Sequence, residues 1–227
     1  MASGMRQFDP ALAELRAEIP VFPLPGALLL PGGRLPLNIF EPRYLALIEA
    51  AMAEGRMFGM IQPDALKPEG PNGPGLFGVG CLGRITSFAE TEDGRIVISL
   101  LGLIRFRVVE EAEMRLGYRR LRVDYAPYKA DLLSEDTLPA LDREPLLKAL
   151  RSYFDHQNLT ADWDAINGLE DEDLVTALGM MCPFPPSEKQ ALLEAETLAE
   201  RSTILLALLK FGLHGHEAEG DEPPRLS

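Results

Sequence analysis

The sequence predicts an α+β fold, and three observations predict it. Between residues 19 and 128, apolar residues come in short runs of extended type, separated by glycine, proline and an Asp-Gly turn. A single segment in that stretch, residues 43–54, has helical spacing instead. Beyond Tyr128 the apolar period becomes three and four and stays so to about residue 212. Six or more short strands around one helix make a small, partly open barrel or a pair of packed sheets, with a helical bundle after it. The chain thus divides into an N-terminal extension (1–18), a β-rich part (19–128), a helical part (129–212) and a flexible acidic tail (213–227).

Residues 28–30 read as a short buried strand, Pro31, Gly32 and Gly33 as a turn, and residues 35–40 as a second extended run. Glu41, Pro42 and Arg43 open a helix, because a first-turn N–H has no intrahelical partner and proline loses nothing by lacking one. Tyr44, Leu47, Ile48 and Met52 share one side of it, and Gly55 ends it in the left-handed conformation. A strand follows at 57–62. Residues 68–75, PEGPNGPG, hold no regular structure and form a surface loop suited to be a mobile rim. Residues 83–89 and 96–101 make a hairpin across Glu92, Asp93, Gly94 and Arg95, where Asp-Gly suits a tight turn with positive φ at both central positions. Residues 104–110 and 118–125 add two strands.

In the helical part, residues 138–157 place Leu146, Leu147, Leu150, Tyr153 and Phe154 on one side. Residues 171–181 form a helix with three acids at its positive end. Pro183, Pro185 and Pro186 break the chain, and Ser187 with Gln190 makes a capping box. A final helix, 187–211, would be about 37 Å long at 1.5 Å per residue and stop at Gly212. Its leucines 192, 193, 198, 205, 208 and 209 must be packed. Each buried leucine contributes roughly 1.5–3 kcal/mol, against an ordering cost of similar size.

The block LPGGRLPLNIFEPRY (30–44), preceded by IPVFPLPG (19–26), resembles the opening signature of the N-terminal, substrate-binding domain of Lon-type ATP-dependent proteases. The likeness continues in GVGCLGRI (78–85), DGRIVISLLGLIRFRV (93–108) and SEKQALLEAETLAERS (187–202). The resemblance implies a pseudo-barrel of PUA-like type for the β-rich half and a part in recognising polypeptide substrates. It also marks Pro31, Gly32, Phe40, Glu41, Pro42, Arg43, Tyr44, Asp93, Gly94 and Arg95 as signature residues. Glu41 and Arg43 are expected to act structurally, as an internal ion pair or a helix-start contact. A Lon protease adds ATPase and serine-lysine peptidase modules. None of the lysines here follows a glycine, as a phosphate loop requires, and 227 residues are expected to leave no room for either module. The expectation is a stand-alone, non-enzymatic member that binds unfolded or tagged polypeptides, or a protease or chaperone partner.

At 46% hydrophobic and 25% charged, the composition is that of an ordinary folded protein. A formal charge of −13 disfavours nucleic acid and anionic membrane, since both demand positive side chains. Cys81 and Cys182 are too few and too far apart for a disulfide framework or a zinc site, and are expected to be reduced structural thiols. No run of signal-peptide type opens the chain, and no segment reaches the roughly 20 apolar residues that span a bilayer. A cytoplasmic protein without membrane association is expected.

GVGCLG (78–83) matches the GxGxxG dinucleotide fingerprint, but a hairpin follows it where that site needs a helix N-terminus. Its glycines are read as close strand approach or a bulge. His156, His214 and His216 include a His-x-His in the tail, without a scaffold for a metal. Ser87, Ser99, Ser152 and Ser202 have no histidine in a recognisable motif. No catalytic residue, cofactor or metal is expected. Arg105, Arg107, Arg115, Arg119, Arg120 and Arg122 support the alternative of an RNA-binding pseudo-barrel, yet Glu110, Glu111 and Glu113 stand ready to neutralise them. An enzyme of another kind needs a convergent polar set that the sequence lacks. Met57, Phe58, Met60, Phe77 and Phe88 are the candidate peptide contacts, forming an exposed apolar groove beside the 68–75 loop.

Overall fold

The computed structural model describes residues 10–133 and 141–214. Residues 1–9 of the expected extension, 138–140 at the expected start of a helix, and 215–227 of the expected tail with His216 lie outside these. Six strands, β1 (Glu18–Pro23), β2 (Arg34–Ile39), β3 (Met57–Ile61), β4 (Val79–Glu90), β5 (Ile96–Arg115) and β6 (Tyr118–Asp124), form one sheet in the order β2-β5-β4-β3-β1-β6. Because β6 also pairs with β5, five of them close into a ring. The β1–β3 pairing is parallel and the others are antiparallel. Beyond the ring, β2, residues 96–100 of β5 and residues 85–90 of β4 continue as a three-stranded flange.

Helix α1 (Pro42–Ala53) sits where the signature residues place it, with Pro42 at N1 and Gly55 at φ +91° just past its end. Tyr44 is buried and stacks on Phe22 at 3.9 Å between ring centroids. Five helices follow: α2 (Arg143–His156), α3 (Trp163–Asn167), α4 (Asp171–Met181), α5 (Pro186–Glu194) and α6 (Leu198–His214). One apolar cluster joins Ile19, Val21, Leu82, Phe106, Leu121 and Val123 of the barrel. Another runs from Phe22, Phe58 and Leu100 through α1 to Leu150, Val175, Leu192 and Leu205, so the helices and the barrel share a core. No helix among the described residues is long and apolar enough to cross a membrane.

The structure differs from the sequence reading at several points, each with a physical cause. Residues 28–30 are fully buried but form no ladder strand. They run against β5 at Gly102, which donates to Gly33 O at 2.9 Å and accepts from Gly32 N–H at 3.0 Å. A Cβ on Gly102 would lie 2.0 Å from Leu30 O, so this crossing requires glycine. For the same reason Gly102 does not separate two strands, and β5 runs unbroken for 20 residues. The Asp-Gly hairpin has positive φ only at Gly94. Gly94 N–H donates to Thr91 O and Thr91 N–H to Arg95 O, which is a three-residue loop with glycine at the bulge position.

The long C-terminal helix is two helices. Arg105 of β5 is buried and holds Asp131 in a bidentate pair, with Nε and Nη2 at 2.9 and 2.8 Å from the carboxylate. Its Nη1 also donates to Leu193 O at 3.2 Å and to Ala195 O, and Nη2 to Glu196 O at 3.4 Å. Those carbonyls are turned to the guanidinium, and the helix breaks there. Thr197 restarts it by accepting from Glu200 N–H at 3.1 Å. Ser187 caps nothing, because Pro185 holds the N-cap position of α5. Gln190 turns inward and donates to Val79 O at 3.1 Å. Gly212 lies within α6, where it leaves room for Tyr153 of α2; a Cβ there would meet that ring at 2.6 Å. Helix α3, capped by Asp162 through Ala165 N–H at 3.0 Å, was not expected.

Two stability measurements check this account. Gly102→Ala should cost about 2–3 kcal/mol in denaturant unfolding by overpacking, against about 1 kcal/mol for Gly94→Ala, whose Cβ would meet nothing within 4 Å. Asp131→Ala should cost about 3–5 kcal/mol by leaving a buried guanidinium uncompensated, and the double change Arg105→Met, Asp131→Leu clearly less.

Candidate functional site

An open cleft of about 300 Å³ lies between the loop that follows β3 and the β5–β6 hairpin. Leu76, Phe77, Val108 and Leu121 line it with apolar surface, while Gly70, Gly73, Gly75 and Gly78 contribute backbone without side chains. The loop is anchored rather than loose. Asp64 N–H donates to Gly75 O at 2.8 Å, Phe77 N–H to Gln62 O at 3.0 Å, and Lys67 Nζ to Leu76 O at 2.7 Å.

The polar wall is fixed by one pair. Arg119 grips Glu111 through Nε and Nη2 at 2.7 and 2.8 Å, and its Nη1 donates to Pro74 O at 2.7 Å. Asn72 adds a bond to Glu111 at 3.0 Å. Burial acts to raise the Glu111 pKa, but the hydrogen bonds from Arg119 and Asn72 and the arginine's charge outweigh it, so the carboxyl sits below its ordinary range. The cleft therefore has an ionised, held wall beside an apolar floor. Neither a nucleophile beside a base nor a histidine lines it.

The five expected contacts do not come together. Phe58 and Met60 are sealed in the core, because β3 lies between strands on both edges and has no solvent face; they cannot line an exposed groove. Met57 lines a separate crevice of about 20 Å³ with Ile19 and Glu54. Phe77 alone lines the cleft, and Phe88 is exposed on the flange. Lys67, Val108, Glu111, Arg119 and Leu121 also line the cleft; Glu111 and Arg119 were expected only as members of a mixed-charge cluster, and β-bulges near Val108 and Ala112 set which residues of β5 and β6 face one another.

The signature residues have local duties. Pro31 and Gly32 make the turn, with Gly32 at φ +76°. Glu41 and Arg43 pair at 2.8 Å in solvent, so the contact is at the helix start and not internal. Such a pair contributes at most about 1 kcal/mol. Arg95 pairs with Asp93 at 2.8 Å and lies over the exposed Phe40 ring at 5.7 Å. Of the clustered arginines, Arg105, Arg119, Arg120 and Arg122 are held by Asp131, Glu111, Glu18 and Glu110. Residues 79–83 open β4, and both features expected of the glycines occur: a Cβ on Gly80 would meet the Phe106 ring at 2.4 Å, and the register shifts between Leu82 and Gly83. Cys81 and Cys182 are free and buried; burial raises both thiol pKa values, Cys182 to about 12. Among the described residues no group of His, Cys, Asp or Glu side chains is arranged to hold a metal.

Residues 18–210 match the family described as ATP-dependent protease La (LON) substrate-binding domain. Lon protease 2 of Myxococcus xanthus is 28% identical over 206 residues, covering 84% of this chain and 23% of that protein. Lon protease of Escherichia coli K12 is 23% identical over 202 residues, covering 86% and 25%. The chain thus spans about a quarter of the length of these curated relatives. Among solved structures, a Lon N-terminal domain protein from Xanthomonas campestris superposes with a TM-score of 0.59 at 25% identity, covering 84% of this chain and 97% of that one. The N-terminal domain of Mycobacterium avium complex Lon protease does so at 0.56 and 20% identity, covering 85% and 98%, and speaks for the fold alone. With an α+β architecture of the same kind and a profile match over most of its length, the chain belongs to the Lon substrate-binding domain family.

Proposed function

We propose that this chain binds unfolded or tagged polypeptides in the cleft beside Phe77, without breaking bonds itself, and presents them to ATP-dependent proteolysis carried out by Lon-type ATPase and peptidase modules. Family membership supports substrate binding linked to Lon proteolysis. The observation that carries the finer reading is the cleft's make-up. An apolar floor accepts varied side chains, and a glycine-rich rim lets a peptide backbone approach closely. The held Glu111–Arg119 wall needs no rearrangement before binding, which keeps the entropic cost of association low. The compartment proposed is the cytoplasm, in keeping with two buried free thiols.

Fluorescence anisotropy with a labelled, carboxymethylated unfolded protein tests the reading. Phe77→Ala should weaken binding about tenfold, equivalent to about 1.4 kcal/mol, and leave the melting temperature within a few degrees. Absence of binding by the unaltered chain, or affinity indifferent to both Phe77→Ala and Val108→Ser, would refute it.

A further inference from the structure

We propose that the free edge of β4 at residues 88–90 receives an extended, positively charged polypeptide segment as an added strand. β3 accompanies β4 only as far as Arg84, and just beyond it Ile85 N–H donates to Arg56 O, ahead of β3, at 2.8 Å. Past that point, among the described residues, β4 has a strand partner on the β5 side alone. In an antiparallel pair, successive residues present both backbone groups to alternate sides. Thr91 N–H faces Arg95 O, toward β5, at 2.9 Å. Counting back, Ala89 faces β5, whereas Phe88 and Glu90 point their N–H and C=O groups outward. The register shift between Ile85 and Ser87 accounts for the phase, since Ile85 also points outward. Water or another strand must satisfy those groups.

The neighbouring side chains narrow the occupant. Residues 86–90 are all exposed, and Phe88 is 40% accessible, enough to give an incoming strand an apolar contact. The other flange edge, β2, carries Pro36 at mid-strand, which withdraws an N–H; residues 86–90 contain no proline and no lysine to repel a strand. Glu90 and Glu92 have no ion-pair partner among the described residues, whereas Asp93 is already held by Arg95. In a chain of net charge −13, this edge attracts lysine- or arginine-bearing segments and repels acidic ones. The inference rests on the polypeptide-binding reading and adds a second contact to it. The edge and the cleft lie at opposite ends of β4, separated by roughly 35 Å of path along the strand at about 3.3 Å per residue.

The probes are a ten-residue peptide of alternating lysine and valine, the same peptide N-methylated at alternate residues, and its glutamate–valine counterpart. Each is titrated against the full chain, with amide hydrogen exchange read by residue. The lysine–valine peptide should bind and protect the amides of Phe88 and Glu90. N-methylation, glutamate for lysine, and Glu90→Pro should each weaken binding at least tenfold, while Glu90→Gln weakens it less than Glu90→Pro. Should Glu90→Pro not fold, the N-methylated peptide decides the matter. Equal affinity for the N-methylated peptide with no protection at 86–90 overturns the proposal. Binding of the lysine–valine peptide that is lost on Phe77→Ala overturns it while leaving the cleft reading intact; no association with any polypeptide removes both.

Discussion

A guanidinium can be taken out of water only if every side of it finds an acceptor, and Arg105 is placed where this condition organises the molecule. It stands on the longest strand of the barrel, is closed off by Asp131 from the 3₁₀ segment after β6, and spends its other donors on the carbonyls at the end of α5. Tyr128 covers it at 4.7 Å. One side chain thereby joins three segments about 26 and 90 residues apart. Arg201, also buried, adds a further bond to the end of α5 by donating to Leu192 O at 3.0 Å. The turn between α5 and α6 is therefore a consequence of barrel chemistry, and it sets the angle at which Leu205 and Leu209 meet the shared core.

How much of this was legible in the sequence depended on the distance over which each signal acts. Helix α1, with proline at its first position and a left-handed glycine after its end, is specified by adjacent residues and was read correctly, as was α4 with its acidic first turn. The α5–α6 break was not, because its cause lies about 90 residues away, although Thr197 and Glu200 spell a helix start that could have been noticed. Gly102 looked like a strand end for want of knowledge that Leu30 passes over it. Phe58 and Met60 could not be told from groove residues, since a strand buried on both faces shows no alternation. Phe77 lines the cleft because it closely follows the glycine-rich loop. Glu111 and Arg119 were visible only as charges, and their pairing needed the register that two bulges set.

The same register explains why the arginine-rich stretch carries so little free positive charge. Placing β6 against β5 and β1 brings Arg119, Arg120 and Arg122 against Glu111, Glu18 and Glu110, so cations and anions cancel strand by strand. Away from these ladders the acids remain in excess, and the surface as a whole keeps the sign of the sequence. An acidic surface of this kind attracts positive charge and repels negative charge at long range.

Closure of the ring also constrains the order in which the molecule can come into being. Glu18 pairs with Arg122, about a hundred residues later, and β1 has its parallel neighbour only in β3. Such remote pairings come late, because the intervening chain must give up its freedom before they are made. On the ribosome, β1 has to wait for β6 to emerge, and the core beside Phe58 stays open until α6 arrives behind it. A nascent chain of this protein thus displays its own apolar strands for most of its synthesis, and stays sticky to its neighbours until the ring closes.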